Sequence, residues 1–374
     1  MPCGRIPHSS KEYCKRVLSH AAQRGVDSCG GIVGYIVGCL STGMLGASRE
    51  TIDKMASKPR FALAIITASS TRGPRADDKG LGRTIKKLPS EATTYLQGST
   101  ADLYQRIAAE SGISIHRLRL TKGSDGSAVP NAKDYTVERT GLRSDSVVYV
   151  KDLGPQIAWR TVFIIEYLGP LLIHPLFYYL RPYLYKNAPA EPSYLQWLSC
   201  VMLALHFAKR EFETIFVHRF SSATMPARNI FKNSAHYWVL GGANIAYWIY
   251  SPTAPTAGPS NPLITCLAIA LFVVGELGNL SNHYTLRNLR STGGTERGIP
   301  SGLGFDLVTC PNYMFEALAW IGIWLASWSL STGLFVVVAV GQMGVWAKKK
   351  ERRYRKEFGD KYQKKRFAML PGLY

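Results

Sequence analysis

The sequence predicts a multispan α-helical membrane domain carrying a small N-terminal α+β head, and three observations lead there. From about residue 157 onward, apolar blocks recur that are too long and too weakly charged for a soluble core. Residues before 152 have the composition of an ordinary polar domain. The basic residues, which give a formal net charge of +20, concentrate in loops flanking the apolar blocks and most densely in 348–366. Such a charge would ordinarily point to nucleic acid, but its placement beside the blocks assigns it to membrane orientation, and no nucleic-acid partner is expected. The 46% hydrophobic content, with 8 Trp and 20 Tyr, excludes wholesale disorder.

Three segments follow from this: a leader at 1–54, a head at 55–152 and a membrane-embedded domain at 153–374. The leader contains the Gly-rich apolar stretch CGGIVGYIVGCLSTGMLGA. It reads as a signal peptide, as a first span, or as an extension preceding a true start at Met55. In the head, strands are expected at 61–67, 85–88, 118–121 and 146–150. A helix at 100–111 is expected to be capped by Ser99 or Thr100, to bury Leu103, Ile107 and Ala108, and to end at Gly112. That strand–strand–helix–strand–strand order resembles the ubiquitin roll, which by itself names no activity; a docking or stability module is the preferred reading.

About six spans are predicted, at 159–180, 194–208, 234–250, 262–280, 313–330 and 331–347, or seven if the leader adds one. Threading them alternately puts the loops 209–232 and 282–312, the basic tail and the head on one face. The opposite loops, SPTAPTAGPSN and the hairpin near Ser331, contain no Lys or Arg. The positive-inside rule makes the charged face cytosolic.

Four clusters carry chemistry. In HFAKREFETIFVHRFS, Lys209 and Glu213 are four apart on one helical face, with His206 and Arg210 close by; a helix-end salt bridge is the plain reading, and ionisable groups at membrane depth favour function. In GELGNLSNHYTLRNLR, Asn279, His283, Arg287 and Arg290 recur at intervals of four, four and three, and the guanidinium groups suit lipid phosphates or a phosphate-bearing ligand. In IPSGLGFDLVTCPNYMFE, Tyr313 and Glu316 share the first turn of a helix beginning near Asn312, where a carboxylate can orient a phenol for acid catalysis; an interfacial aromatic anchor is the plain alternative. The tail interleaves 11 Lys and Arg with Tyr354, Phe358 and Tyr362, one every four residues, as on an anionic-membrane surface or over a dinucleotide. No GxGxxG follows a strand, so a dinucleotide site would not be of Rossmann type. His206, His218 and His236 lack zinc spacing and a matching Cys or carboxylate, and the 7 cysteines form no disulfide framework, so no metal is expected.

Taken in this order at the end of a multispan chain, these clusters resemble the steroid 5α-reductase superfamily, and more narrowly its very-long-chain trans-2-enoyl-CoA reductase branch. The resemblance runs from about residue 55 to 374 and includes the ubiquitin-like head, KREFETIFVHRFS, IPSGLGF followed by CPNY, and the ending KRFAMLPGLY. It implies Tyr313 as catalytic acid with Lys209 and Glu213 as catalytic partners. It implies cofactor contacts at Asn279, His283, Arg287, Arg290, Asn312, Glu316 and Tyr354. The family's tail commonly has a histidine where Lys350 stands here. The steroid branch has a different aromatic at the Tyr313 position, which favours the enoyl-thioester branch.

The expected reaction is NADPH-dependent reduction of a long-chain enoyl-CoA, the last step of very-long-chain fatty acid elongation. The expected setting is the endoplasmic reticulum membrane, with the head and active site facing the cytosol beside other elongation enzymes. The alternatives are a sterol or polyprenol reductase of the same superfamily, a membrane methyltransferase, or a non-enzymatic scaffold; the last two need no phenolic donor at Tyr313.

Overall fold

The computed structural model describes residues 60–67, 85–144, 146–220, 222–290, 298–363 and 367–372. The leader and the loop 291–297 lie outside the described residues. The chain divides into two compact units, one holding most of the sheet and one holding most of the helices, from Lys151 onward.

In the first unit, β1 (Arg60–Thr67) pairs antiparallel with β2 (Glu91–Tyr95) and parallel with β4 (Val147–Asp152), and β3 (Leu118–Lys122) completes the sheet order β2-β1-β4-β3. The helix α1 (Thr100–Ser111) forms where expected. Ser99 Oγ accepts from Asp102 N at 3.1 Å, and Gly112 leaves the helix with φ of 67°. Its buried face is Leu103, Tyr104 and Ile107. The Tyr104 hydroxyl is itself satisfied, donating to Val129 O at 2.9 Å and accepting from Leu120 N at 3.0 Å. The strand expected at 85–88 is not there. Residues 86 and 87 form a turn and Pro89 lacks the N–H a ladder needs, so pairing begins at Glu91, where Ala92 and Thr94 point inward.

The second unit opens with β5 (Gln156–Ala158), paired antiparallel with β6 (Thr224–Pro226). Between them run α2 (Trp159–Tyr179), the short α3 (Arg181–Leu184) and α4 (Tyr194–Phe212). Ser193 and Gln196 form a reciprocal capping box at the start of α4, and the helix passes into a π-helical turn, Glu213–Val217. Then come α5 (Asn229–Ser234), a π-helical segment Ala235–Asn244, α6 (Ile245–Ile249), α7 (Pro262–Asn288), α8 (Pro311–Ser327) and α9 (Leu330–Phe358). Among the described residues, three helices are long and apolar enough to cross a membrane: 159–179, 262–288 and 330–361. The last two extend well beyond the apolar stretches at 262–280 and 331–347, because the polar residues that follow are good helix formers and continue the same hydrogen-bond ladder.

Helices α7 and α8 touch through glycine. A Cβ on Gly275 would lie 2.4 Å from Ala319 N and 2.7 Å from Phe315 O, and one on Gly322 would lie 2.6 Å from Ala268 O. These neighbours are backbone and cannot swing aside. Gly275→Val is therefore expected to push the two helices apart at a cost of about 3 kcal/mol, near the upper end for overpacking. Thermal unfolding in detergent checks this: a melting temperature equal to wild type would contradict the close approach. The small-residue contact fixes α7 against α8 beside the polar groups described next, Gly275 directly preceding Glu276.

Candidate functional site

On α4, His206, Lys209 and Arg210 stand with Glu213, at the start of the π-helical turn, at spacings of three, one and three, so helical geometry puts them on one face. On α7, Glu276, Asn279 and His283 do the same at spacings of three and four. Asn312 and Glu316 add a first-turn face from α8. The three faces meet in one buried polar cluster. Lys209 Nζ lies 2.7 Å from Glu276 Oε2 and 3.4 Å from Glu213 Oε1, and donates to Asn279 Oδ1 at 2.6 Å. Asn279 Nδ2 donates to Asn312 O at 2.9 Å, which ties α7 to the first turn of α8. Arg210 meets Glu213 at 2.7 Å and donates to the Tyr167 hydroxyl at 2.9 Å. His206 joins Glu276 at 2.6 Å and Glu316 at 3.6 Å, while His283 Nδ1 is 3.0 Å from Glu213 Oε1.

Glu213 is fully buried, as few carboxylates are, and it survives there because Lys209, Arg210 and His283 all face it. The π-helical turn that follows ends at His218, whose ring meets that of His283 edge-on with centroids 4.8 Å apart. Burial, with His283 and Arg210 nearby, pushes the His218 imidazole down to about 2, so it is neutral at physiological pH. The sequence offered no carboxylate to match the histidines. The structure supplies one: donor atoms of Glu213, His218 and His283 lie within 4.8 Å of one another. Lys209 and Arg210 also face Glu213.

Of the predicted site residues, Lys209, Glu213, Asn279, His283, Asn312 and Glu316 thus converge. Tyr313 does not join their contacts. It is half-buried, its ring 6.5 Å from that of Trp346 on α9, and it packs against the apolar group that includes Cys310 and Met343. Glu316 is engaged by His206 at 3.6 Å and by Arg210 at 3.9 Å. Lys350, Arg210 and Glu316 nonetheless all act on Tyr313 electrostatically. Arg287 and Arg290 leave the cluster: Arg287 sits 5.8 Å from the Tyr284 ring centroid, and Arg290 donates to the carbonyl of Arg219.

Tyr354 is buried between Phe358 and Tyr362, with Lys350 Nζ 5.6 Å from its ring centroid. The helix that was to carry all three rings stops at Gly359, where φ is 54°, and Tyr362 folds back instead. What holds it there went unnoticed in the sequence. The buried Glu351 accepts hydrogen bonds from Tyr362 at 2.7 Å and from Thr309, and Cys310 N donates to Ala368 O at 3.0 Å. The C-terminal residues 367–368 therefore pair with 308–310, immediately ahead of Tyr313. A lone acid in KKKERRY was the available signal. Glu276, the partner of Lys209, carried a similar one as an acid inside an apolar block.

Residues 223–374 match the family described as 3-oxo-5-alpha-steroid 4-dehydrogenase. The chain is 41% identical over 302 residues to the very-long-chain enoyl-CoA reductase of Dictyostelium discoideum, covering 79% of this chain and 99% of that protein. It is 40% identical over 280 residues to a probable very-long-chain enoyl-CoA reductase of Caenorhabditis elegans, covering 71% and 89%. Over 253 residues it is 35% identical to the trans-2,3-enoyl-CoA reductase-like protein of Homo sapiens, covering 65% and 68%.

Proposed function

The chain belongs to the very-long-chain enoyl-CoA reductase family, oxidoreductases acting on CH–CH bonds, and on that premise we propose that it reduces a trans-2-enoyl-CoA to the saturated acyl-CoA with NADPH. The observation that carries this reading is the buried cluster joining α4, α7 and α8, because it gathers cations, carboxylates and amides where apolar helices would otherwise close. The cluster also offers unused hydrogen-bonding capacity. Among the described residues, the buried Asn312 Oδ1 has no hydrogen-bond partner, as a carboxamide N–H donor requires. A nicotinamide fits this donor and acceptor set.

In this reading Asn279, His283, Asn312 and Glu316 hold the nicotinamide end, and Arg287, Arg290 and Tyr354 serve the remainder of the cofactor. When bound, NADPH supplies the hydride that reaches Cβ of the alkene. Tyr313 protonates Cα, the thioester having accepted the charge as an enolate, so that enoyl-CoA, NADPH and one proton give acyl-CoA and NADP+. A phenol of ordinary pKa about 10 is protonated at neutral pH and is a competent acid. Lys209, held by Glu213, Glu276 and Asn279, stands fixed to orient the thioester carbonyl or tune the phenol. The acyl chain lies among the apolar helices.

The same reading carries six or seven spans, a ubiquitin-like docking head at 55–152, residence in the endoplasmic reticulum with the site facing the cytosol, and work beside the other elongation enzymes. The test is NADPH oxidation by membranes containing this protein given trans-2-hexadecenoyl-CoA, with the acyl product identified by mass. Stoichiometric hexadecanoyl-CoA supports the proposal. Absence of turnover under conditions where the protein is folded and present would remove it.

A further inference from the structure

Helices α8 and α9 run antiparallel. A Cβ on Gly333, near the start of α9, would lie 2.8 Å from Trp324 Nε1 near the end of α8, whereas Tyr313 at the start of α8 meets Trp346 much further along α9. Helical side chains lean toward the N-terminus of their own helix. Tyr313 therefore leans toward the first residues of α8, and the residues of α9 that follow Trp346 lean back toward it. Met343, Trp346, Ala347 and Lys350 fall on one face of α9, and Met343 and Ala347 belong to the apolar group against which Tyr313 packs. Lys350 is the next side chain on that face, about 6 Å beyond Trp346 along the axis, which an extended lysine spans.

The charge on Lys350 is held without being neutralised. Its Nζ lies 5.6 Å from the ring centroid of the buried Tyr354, a cation–π contact. Among the described residues no carboxylate pairs with it, because the adjacent Glu351 accepts from Thr309 and Tyr362 instead. The other groups whose charge bears on Tyr313 are Arg210 from α4, Glu316 within α8 and the Cys310 thiol ahead of it, and Cys310 and Tyr354 also face Lys350. Arg210 is committed to Glu213 at 2.7 Å and faces Glu316 at 3.9 Å, so its charge is largely offset where that of Lys350 is not.

We propose that Lys350 is a positioning residue for the proton transfer, its ammonium stabilising the phenolate that Tyr313 becomes on giving its proton to Cα. The proposal rests on the reading of Tyr313 as the acid of an enoyl-CoA reductase. The phenolic O–H bond breaks as the Cα–H bond forms, and the charge of the enolate passes to the phenolate oxygen. A solvent proton then restores the phenol, while Lys350 keeps its own protons throughout. A nearby cation favours the charged form of a phenol, and does so more strongly between packed helices than in water.

The experiment uses the full-length protein in nanodiscs, as wild type, as the neutral variants Lys350→Met and Lys350→Gln, and as Lys350→Arg. With trans-2-hexadecenoyl-CoA and NADPH, the neutral variants are expected to lower kcat about threefold to tenfold, as a weaker acid should, with KM for NADPH unchanged. Lys350→Arg keeps the charge and should recover most of that loss. A readout without turnover is 3-fluorotyrosine placed at position 313 and followed by fluorine NMR across pH. Removing the cation should move its titration midpoint about one pH unit or more upward, and Lys350→Arg should leave it near wild type. If wild type shows no enoyl reduction, the reductase reading falls and the midpoint still decides whether Lys350 acts on Tyr313.

A midpoint and kcat unchanged in both neutral variants would overturn the proposal. So would a raised KM for NADPH with both unchanged, which would place Lys350 on the cofactor. Equal losses in the Met, Gln and Arg variants with no movement of the midpoint would reduce Lys350 to a structural residue.

Discussion

Tyr313→Phe is expected to lower kcat for enoyl-CoA reduction by about a hundredfold to ten-thousandfold, the usual contribution of a positioned general acid. The substitution deletes one hydroxyl and keeps the ring. The ring is what packs on Trp346, Cys310 and Met343, so thermal stability and expression should be those of wild type. The backbone of the α8 first turn is likewise untouched, since Tyr313 N donates to Cys310 O at 3.1 Å irrespective of the side chain. Binding of NADPH, followed by fluorescence of the reduced nicotinamide, should survive, because the contacts among the residues assigned to the cofactor do not use the Tyr313 hydroxyl. Retained turnover in a folded variant would take Tyr313 out of the chemistry and leave it as a packing residue beside α9.

Lys209→Met should abolish activity and also destabilise the protein. The lysine is the one cation shared by Glu276 and Glu213, and it holds the Asn279 amide whose nitrogen bonds the α8 backbone. Methionine keeps the length of the side chain and removes the charge. Two carboxylates deep in the structure then face one another with less compensation, and breaking such a buried pair from one side costs about 3–5 kcal/mol. Glu213 still has Arg210 and His283, whereas Glu276 retains His206, so the larger injury falls on the α7 side. Lys209→Arg keeps the charge but replaces a compact ammonium by a planar fork that cannot match the same three acceptors. It should recover stability more fully than kcat. Thermal melts beside steady-state rates separate the two effects; equal losses of stability and rate in Met and Arg variants would mean that geometry and charge do not matter independently.

Much of this site was legible because helices repeat. Polar residues at three- and four-residue intervals within apolar blocks placed Lys209 with Glu213 and Asn279 with His283 before any helix was seen. What the one-dimensional pattern does not contain is which faces meet. Glu276 and Arg210 were visible as ionisable residues, but Lys209, which meets Glu276, and Tyr167 and Glu316, which meet Arg210, lie on other helices. The ion-pair partners of Glu316 were hidden for the same reason. Three-residue spacing puts two side chains near one another, yet His206 and Arg210 from α4 claim the carboxylate. Two π-helical stretches, Glu213–Val217 and Ala235–Asn244, have no signature in apolar periodicity, and the first of them delivers His218 to His283.

In the head, α1 was readable from Ser99 to Gly112 because cap and stop residues bracket it. The strand at Glu91–Tyr95 was missed because its inward positions are Ala92 and Thr94, which do not read as apolar alternation. The C-terminal return was hidden by its own charge. A run of Lys and Arg predicts a solvated juxtamembrane face, whereas Glu351 gathers Thr309 and Tyr362 beneath it and brings residues 367–368 against the strand-like approach to Tyr313.

The central claim is enoyl reduction with hydride delivered to Cβ and a proton to Cα. Isotope placement tests it most directly. The purified protein in nanodiscs is given trans-2-hexadecenoyl-CoA with NADPH carrying deuterium at C4, once with each C4 face labelled, and in a separate reaction unlabelled NADPH in deuterium oxide. The hexadecanoyl product is then fragmented by mass spectrometry. The account predicts cofactor deuterium at C3 of the acyl chain from one face only, and solvent deuterium at C2. Solvent deuterium at C3, cofactor deuterium at C2, or a product lacking both labels would contradict it.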